Sequence, residues 1–193
     1  PIRVVDGLPG AGVLQVTNGS MAGGPVTLQQ AYTEAGLFRF RIDDGTRFSD
    51  SPIINMKPGS LASLSLALPA SLEAGTTAQI QVTLLDGFSN PIPNLPTILS
   101  LDNSALGTLL NPSGLSNAFG LLNVDFQASA GGSGPGTFIA RSGSFSASQG
   151  FRLLGPPVTS LSFSGYGQST GKGSALKTGD LVTINAAYEA GMA

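Results

Sequence analysis

The chain has 193 residues, neither Cys nor His, and a formal net charge of −2. Without those two residue types it has no Ser-His-Asp triad, no thiolate nucleophile, no disulfide and none of the usual zinc ligand sets. Only 10% of residues are charged, the nine Lys and Arg lie scattered, and no apolar run has the length of a transmembrane helix, which argues against a nucleic-acid partner, a membrane-surface role and insertion of this segment into a membrane.

Twenty-seven Gly and 13 Pro break helices and supply turns, which favours an all-β chain. Taken in order, the first stretch offers five strand candidates, at 2–5, 12–17, 25–32, 37–42 and 52–56. Phe38, Phe40 and Ile42 are expected to face inward, with Arg39 and Arg41 facing out. Between two of these strands stands Asp43-Asp44-Gly45-Thr46-Arg47-Phe48-Ser49-Asp50, the one acidic cluster in the chain. Asp-Gly reads as a hairpin turn. The competing reading is a Ca²⁺ loop on Asp43, Asp44 and Asp50, but the spacing is not that of an EF-hand and Arg47 sits in the middle. Upstream, Asn18-Gly19-Ser20 has the pattern of an N-glycosylation sequon.

Period-two alternation is clearest in the middle of the chain. Leu64, Leu66 and Leu68 form one set, Ala78, Ile80, Val82 and Leu84 a second, and Leu122, Val124, Phe126 and Ala128 a third. Between the second and third sets lies Asp86-Gly87-Phe88-Ser89-Asn90-Pro91-Ile92-Pro93-Asn94. Pro91 and Pro93 have no N–H to give to a central strand, so this segment is expected at an edge or a crossover between sheets. Asp86 is expected to bond the backbone of its own turn. Further strands are expected at 97–101, 136–141 and 144–153, then at 158–164 and 181–188. Gly171-Lys172-Gly173-Ser174 lacks the earlier Gly of a phosphate-binding loop and reads as a glycine-rich loop. No segment has a helical period.

The chain repeats itself at an offset of about 100 residues. Gly36-Leu37-Phe38 returns as Gly136-Thr137-Phe138, and Pro58 as Pro156-Pro157. Ala62-Ser63-Leu64-Ser65-Leu66 returns as Thr159-Ser160-Leu161-Ser162-Phe163, and Leu72-Glu73-Ala74-Gly75 as Leu176-Lys177-Thr178-Gly179. Ile80 aligns with Ile184 and Leu84 with Tyr188 after an insertion around 165–174. The repeat predicts that 1–58 is the C-terminal part of one module, 59–155 a complete module and 156–193 the N-terminal part of a further one. Short Pro-bearing linkers then act as semi-rigid spacers. Each complete module is expected to be an antiparallel immunoglobulin-like sandwich of about seven strands.

The Asp86–Asn94 segment resembles the D-x-x-G-N-P-V-P turn of bacterial immunoglobulin-like repeats of the invasin and intimin type. Leu72-Glu73-Ala74-Gly75 is similar to that family's L-x-A-G turn, and Asn117-Ala118-Phe119-Gly120-Leu121-Leu122-Asn123-Val124 to its T-x-x-x-G-x-A-x-V strand. Gly136-Thr137-Phe138 is similar to its G-x-Y/F strand start. The chain departs in having Ser89 where the family often has Gly, and in lacking the Thr that precedes the strand glycine. The resemblance implies a rod of β-sandwiches that spaces an adhesive or enzymatic tip from a cell surface.

These observations give an all-β chain of tandem immunoglobulin-like sandwiches, extracellular or at the cell surface, with no catalytic, cofactor-binding or metal-ligating residues. The expected role is a non-catalytic spacer building a rod, stalk or filament of a bacterial surface or secreted protein. The alternatives are a binding module for a sugar or protein ligand, and an accessory domain of an extracellular enzyme. Absent Trp and three scattered Tyr weigh against a sugar platform. The expected partners are neighbouring modules of the same parent chain, because the first stretch supplies about five strand candidates and the last about two, and two strands alone do not hold together in water. Head-to-tail self-association is a second possibility, in which the last two strands of one chain complete the first module of the next.

Overall fold

The computed structural model describes residues 1–5, 12–19, 27, 29–156, 158–165 and 182–188, with backbone only at 4–5, 158–165 and 182–188. The expected strands at 25–32 and 181–188, the sequon, the Pro156-Pro157 pair, the insertion around 165–174, the glycine-rich loop at 171–174 and the repeat at 176–179 lie in whole or part outside the described residues.

The first strands are β1 (Ile2–Val5), β2 (Gly36–Asp43), β3 (Phe48–Asp50) and β4 (Ile54–Met56). β2 is the centre of this sheet, with β1 along one edge and β3 and β4 sharing the other. Phe38 is buried, edge-on to Tyr32 at 4.7 Å and to Phe40 at 5.2 Å. Ile42 corrects the expectation from alternation, since it is 52% exposed. The described residues supply no layer over that end of β2, and alternation does not tell a covered face from an uncovered one. The expected strand at 12–17 is also corrected: among the described residues only a Leu14–Tyr32 bridge forms. The reason is local. The Gln30 side chain takes the place of a strand partner, its Oε1 accepting from the Val16 N–H at 2.9 Å and its Nε2 donating to the Val16 carbonyl at 2.8 Å.

Residues 61–154 hold nine strands rather than about seven. One sheet has the order β5 (Leu61–Ala67), β7 (Thr77–Asp86), β11 (Leu121–Ala128), β9 (Gly107–Leu110). The other has the order β10 (Ser113–Leu115), β8 (Pro96–Leu101), β12 (Gly134–Ser142), β13 (Phe145–Leu154), β6 (Ser71–Glu73). All pairs are antiparallel except β13 with β6. The register sets Ile80 opposite Val124 and Ala78 opposite Phe126, so the two alternating sets share one inward face. Ile80, Val82, Leu84, Val124 and Phe126 from one sheet meet Leu99, Phe138, Phe151 and Leu153 from the other, all buried. Phe126 stands edge-on to Phe138 at 5.0 Å and to Phe151 at 5.7 Å, and Phe138 stacks on Phe151 at 4.6 Å. A single 3-10 turn at Ser104–Leu106 is the one helical element among the described residues. Beyond the sandwich, β14 (Val158–Gly165) pairs antiparallel with β15 (Val182–Tyr188).

Gly120 is required where it stands. Its φ is +68°, and a Cβ there would lie 2.5 Å from the Leu84 carbonyl oxygen and 3.0 Å from the Ile92 nitrogen. Gly143, in the β12–β13 turn, has φ +56° with open space around it. Gly120→Ala is therefore expected to cost about 3 kcal/mol, the left-handed backbone penalty plus a clash with rigid main chain. Gly143→Ala is expected to cost only the first part, about 1 kcal/mol. Urea midpoints of the two variants measure the difference.

Candidate functional site

β7 ends at Asp86 in one sheet and β8 begins at Pro96 in the other, so the intervening segment is the crossover that its two prolines suggested. Leu85 makes a bridge with Pro91, and the Ile92 N–H donates to the Leu84 carbonyl at 3.1 Å. Ser116, buried, ties down the far side: its hydroxyl donates to the Ile92 carbonyl at 2.6 Å and accepts from the Leu95 N–H at 3.0 Å. Ser89 has φ +67°, a left-handed backbone that Gly adopts without strain.

Asp86 is only 4% exposed, yet its carboxylate is fully engaged. Oδ1 accepts from the N–H groups of Phe88 at 2.8 Å and Asn90 at 2.9 Å. Oδ2 accepts from the Gly59 N–H at 2.8 Å and from Asn90 Nδ2 at 2.9 Å. Burial pushes the Asp86 carboxyl upward, but the bonds from the Asn90 side chain and from the N–H groups of Gly59, Asn90 and Phe88 outweigh it and hold the group below the usual carboxylate range. Asn90 carries the contact across to the first sheet. Its Nδ2 donates to the Thr33 carbonyl at 2.8 Å, and its Oδ1 accepts from the Ala35 N–H at 2.9 Å. One turn thus grips both the Pro58-Gly59 linker and the strand entry just before β2.

Beside this contact is an open cleft of about 550 Å³ between Ala35, Gly36, Asn55, Met56, Lys57 and Pro58 on one side and Pro91, Ile92, Pro93, Asn94 and Ala118 on the other. Its one ionisable lining residue is Lys57. A cleft with a single ionisable group has no acid–base pair to offer.

The acidic cluster is a hairpin turn between β2 and β3. Asp43 accepts from Arg3 at 3.0 Å and from the Gly45 N–H at 2.7 Å. Asp44 accepts from the N–H groups of Thr46 at 2.8 Å and Arg47 at 2.7 Å, which lowers its pKa, the Arg47 bond most. Asp50 receives both arms of Arg41, at 2.6 and 2.7 Å, and the Arg41 bond holds its carboxyl below the usual range. The Arg41 guanidinium also lies 4.0 Å over the Phe48 ring. The three carboxylates are committed to separate donors. Among the described residues no three His, Cys, Asp or Glu are placed to hold a metal ion.

No family model matches the chain, and no curated protein matches it in sequence. Among solved structures, the Escherichia coli adhesin FdeC is similar with a TM-score of 0.55, over 79% of this chain and 50% of that one, at 15% identity. The fold is immunoglobulin-like. In fold the chain resembles the immunoglobulin-like domains of the invasin and intimin type. Domains 4 and 5 of the S-layer protein SbsC match with a TM-score of 0.43 over 62% of this chain and 66% of theirs, at 16% identity. The intimin D0–D1 domains match with a TM-score of 0.40 over 79% of each chain, at 13% identity. The chain thus spans half the length of the FdeC structure and about two thirds of the SbsC one. At these identities the likeness concerns the immunoglobulin-like fold alone. No helix among the described residues is long and apolar enough to cross a membrane.

Proposed function

We propose that the chain is a non-catalytic spacer of a bacterial surface or secreted protein, a row of immunoglobulin-like modules at 1–58, 59–155 and 156–193 set in fixed order. The observation that carries this reading is the pair of contacts from one turn, Asp86 to Gly59 and Asn90 to Thr33 and Ala35, which fastens one module to its predecessor. The repeat gains support from a shared irregularity. β5 breaks register against β7 between Leu61 and Ser63, and β14 against β15 between Val158 and Ser160, the positions that the repeat aligns on β5 and β14; the partner residues, Leu85–Asp86 and Ala187–Tyr188, stand two positions apart in the repeat. The FdeC structure, similar in fold, is that of an adhesin.

The alternative of a sugar-binding module calls for exposed aromatic rings gathered on one sheet face. Among the described residues Phe48, Phe88, Phe119 and Phe145 are exposed, but they belong to β3, to the Asp86–Asn90 turn, to the turn before Gly120 and to the start of β13. Small-angle scattering tests the spacer reading. A compact globule of this length has a radius of gyration of about 16 Å. A row of modules is expected to exceed that clearly, with a skewed distance distribution and the bell-shaped Kratky plot of a folded chain. A radius near 16 Å would refute it.

A further inference from the structure

We infer that Asn90 recognises the backbone of the preceding module, and that a proline at the receiving position blocks this recognition, so the front and back ends of the middle module are not interchangeable. The inference rests on the module reading above. A side-chain amide offers one carbonyl acceptor and two N–H donors. Asn90 uses all of them: Oδ1 takes the Ala35 N–H, and Nδ2 gives its hydrogens to the Thr33 carbonyl and to the Asp86 carboxylate. A carbonyl at one residue and an N–H two residues later, on the same side, is what the edge of an extended strand presents. The amide therefore occupies the place of a neighbouring strand. Asp86, pinned by its own turn and by Gly59, fixes the direction in which the amide points.

Nothing in this clasp reads a side chain of the preceding module. It needs an extended segment whose third residue keeps its N–H. The repeat identifies the corresponding segment of the middle module. Phe38 and Phe138, both buried, align through Gly36-Leu37-Phe38 and Gly136-Thr137-Phe138. Thr33 then falls on Ser133 and Ala35 on Pro135. Proline has no N–H to give. The middle module can receive a predecessor through Asn90 but cannot present the same clasp to a successor, and it cannot stand behind a copy of itself by this contact.

The chain is free of Cys, so paired spin labels can be placed without removing native thiols. With Thr46→Cys and Ser146→Cys labelled across the joint in the full chain, the wild-type distance distribution is expected to be narrow. Asn90→Ala and Ala35→Pro should each broaden it at least twofold. The double variant should be no broader than either single one, because both remove one clasp. Ala35→Pro leaves the Asp86 turn untouched and is expected to leave the melting temperature of the sandwich unchanged. A distribution as narrow in Ala35→Pro as in wild type, or additive broadening in the double variant, would overturn the inference. A second label pair, Thr46→Cys with Asn55→Cys inside the first sheet, checks the module reading separately. A broad distribution there would overturn that reading and the inference with it.

Discussion

Replacing Phe126 by Ala is expected to destabilise the sandwich by about 3–5 kcal/mol, the usual range for truncating a buried aromatic ring. Phe126 has no exposed surface and touches both partners of the aromatic cluster, Phe138 and Phe151, which come from the opposite sheet. Removing it takes away the ring that joins the two layers and leaves a cavity bounded by stiff β-strands. A domain of this size is stable by only about 5–15 kcal/mol, so the change is a large share of the whole. The melting temperature should fall by roughly 15–30 °C, since 1 kcal/mol shifts a domain of this size by several degrees. Phe119→Ala is the matching control. That ring is 72% exposed, and its loss should stay within about 0.5 kcal/mol. Thermal melts followed by circular dichroism decide it: equal shifts for the two variants would mean that the aromatic cluster does not hold the sheets together.

The position of Phe126 was legible in the sequence because its strand alternates cleanly, and so does the strand it pairs with. Two strands of period two, each with one apolar face, can satisfy both faces only by sharing them, and the register of Ile80 on Val124 does that. The short strands were not legible. Ser71–Glu73 and Ser113–Leu115 span three residues each, too few for a period to appear, and the first of them pairs with Arg152–Leu154, far away in sequence. The exposure of Ile42 and the reach of Asn90 escaped the sequence for opposite reasons. Ile42 has the right alternation, but whether its face is covered depends on other parts of the fold. Asn90 was read as part of a turn, which it is, but its side chain bonds Thr33, 57 residues earlier. Nothing local to Asp86-Gly87-Phe88-Ser89-Asn90 marks that contact.

Asp86→Asn is expected to cost about 2 kcal/mol at pH 7, and Asp86→Ala about 3 kcal/mol, because the carboxylate satisfies the N–H groups of Phe88, Asn90 and Gly59 at once and hydrogen bonds to a charged group are the stronger kind. In the Asn variant one oxygen becomes an NH₂ that faces N–H donors, so part of the network is left without an acceptor. The effect should depend on pH with a definite sign. An unfolded Asp titrates at about 3.9, and the folded pKa of Asp86 lies below that. The stabilisation is therefore fully present above that value and is lost as the pH falls through the lower folded pKa. Asp44, Asp50 and Asp102 are lowered too, so the wild-type acid slope alone does not isolate Asp86. The difference between wild type and Asp86→Asn does. Urea unfolding of both proteins at pH 7, 4 and 2.5 should give a gap that is constant from pH 7 down to about 5 and closes at the acid end. A gap of the same size at pH 2.5 and at pH 7 would mean that the charge of Asp86 contributes nothing, and that only its shape holds the turn on which Asn90 and the Gly59 linker depend.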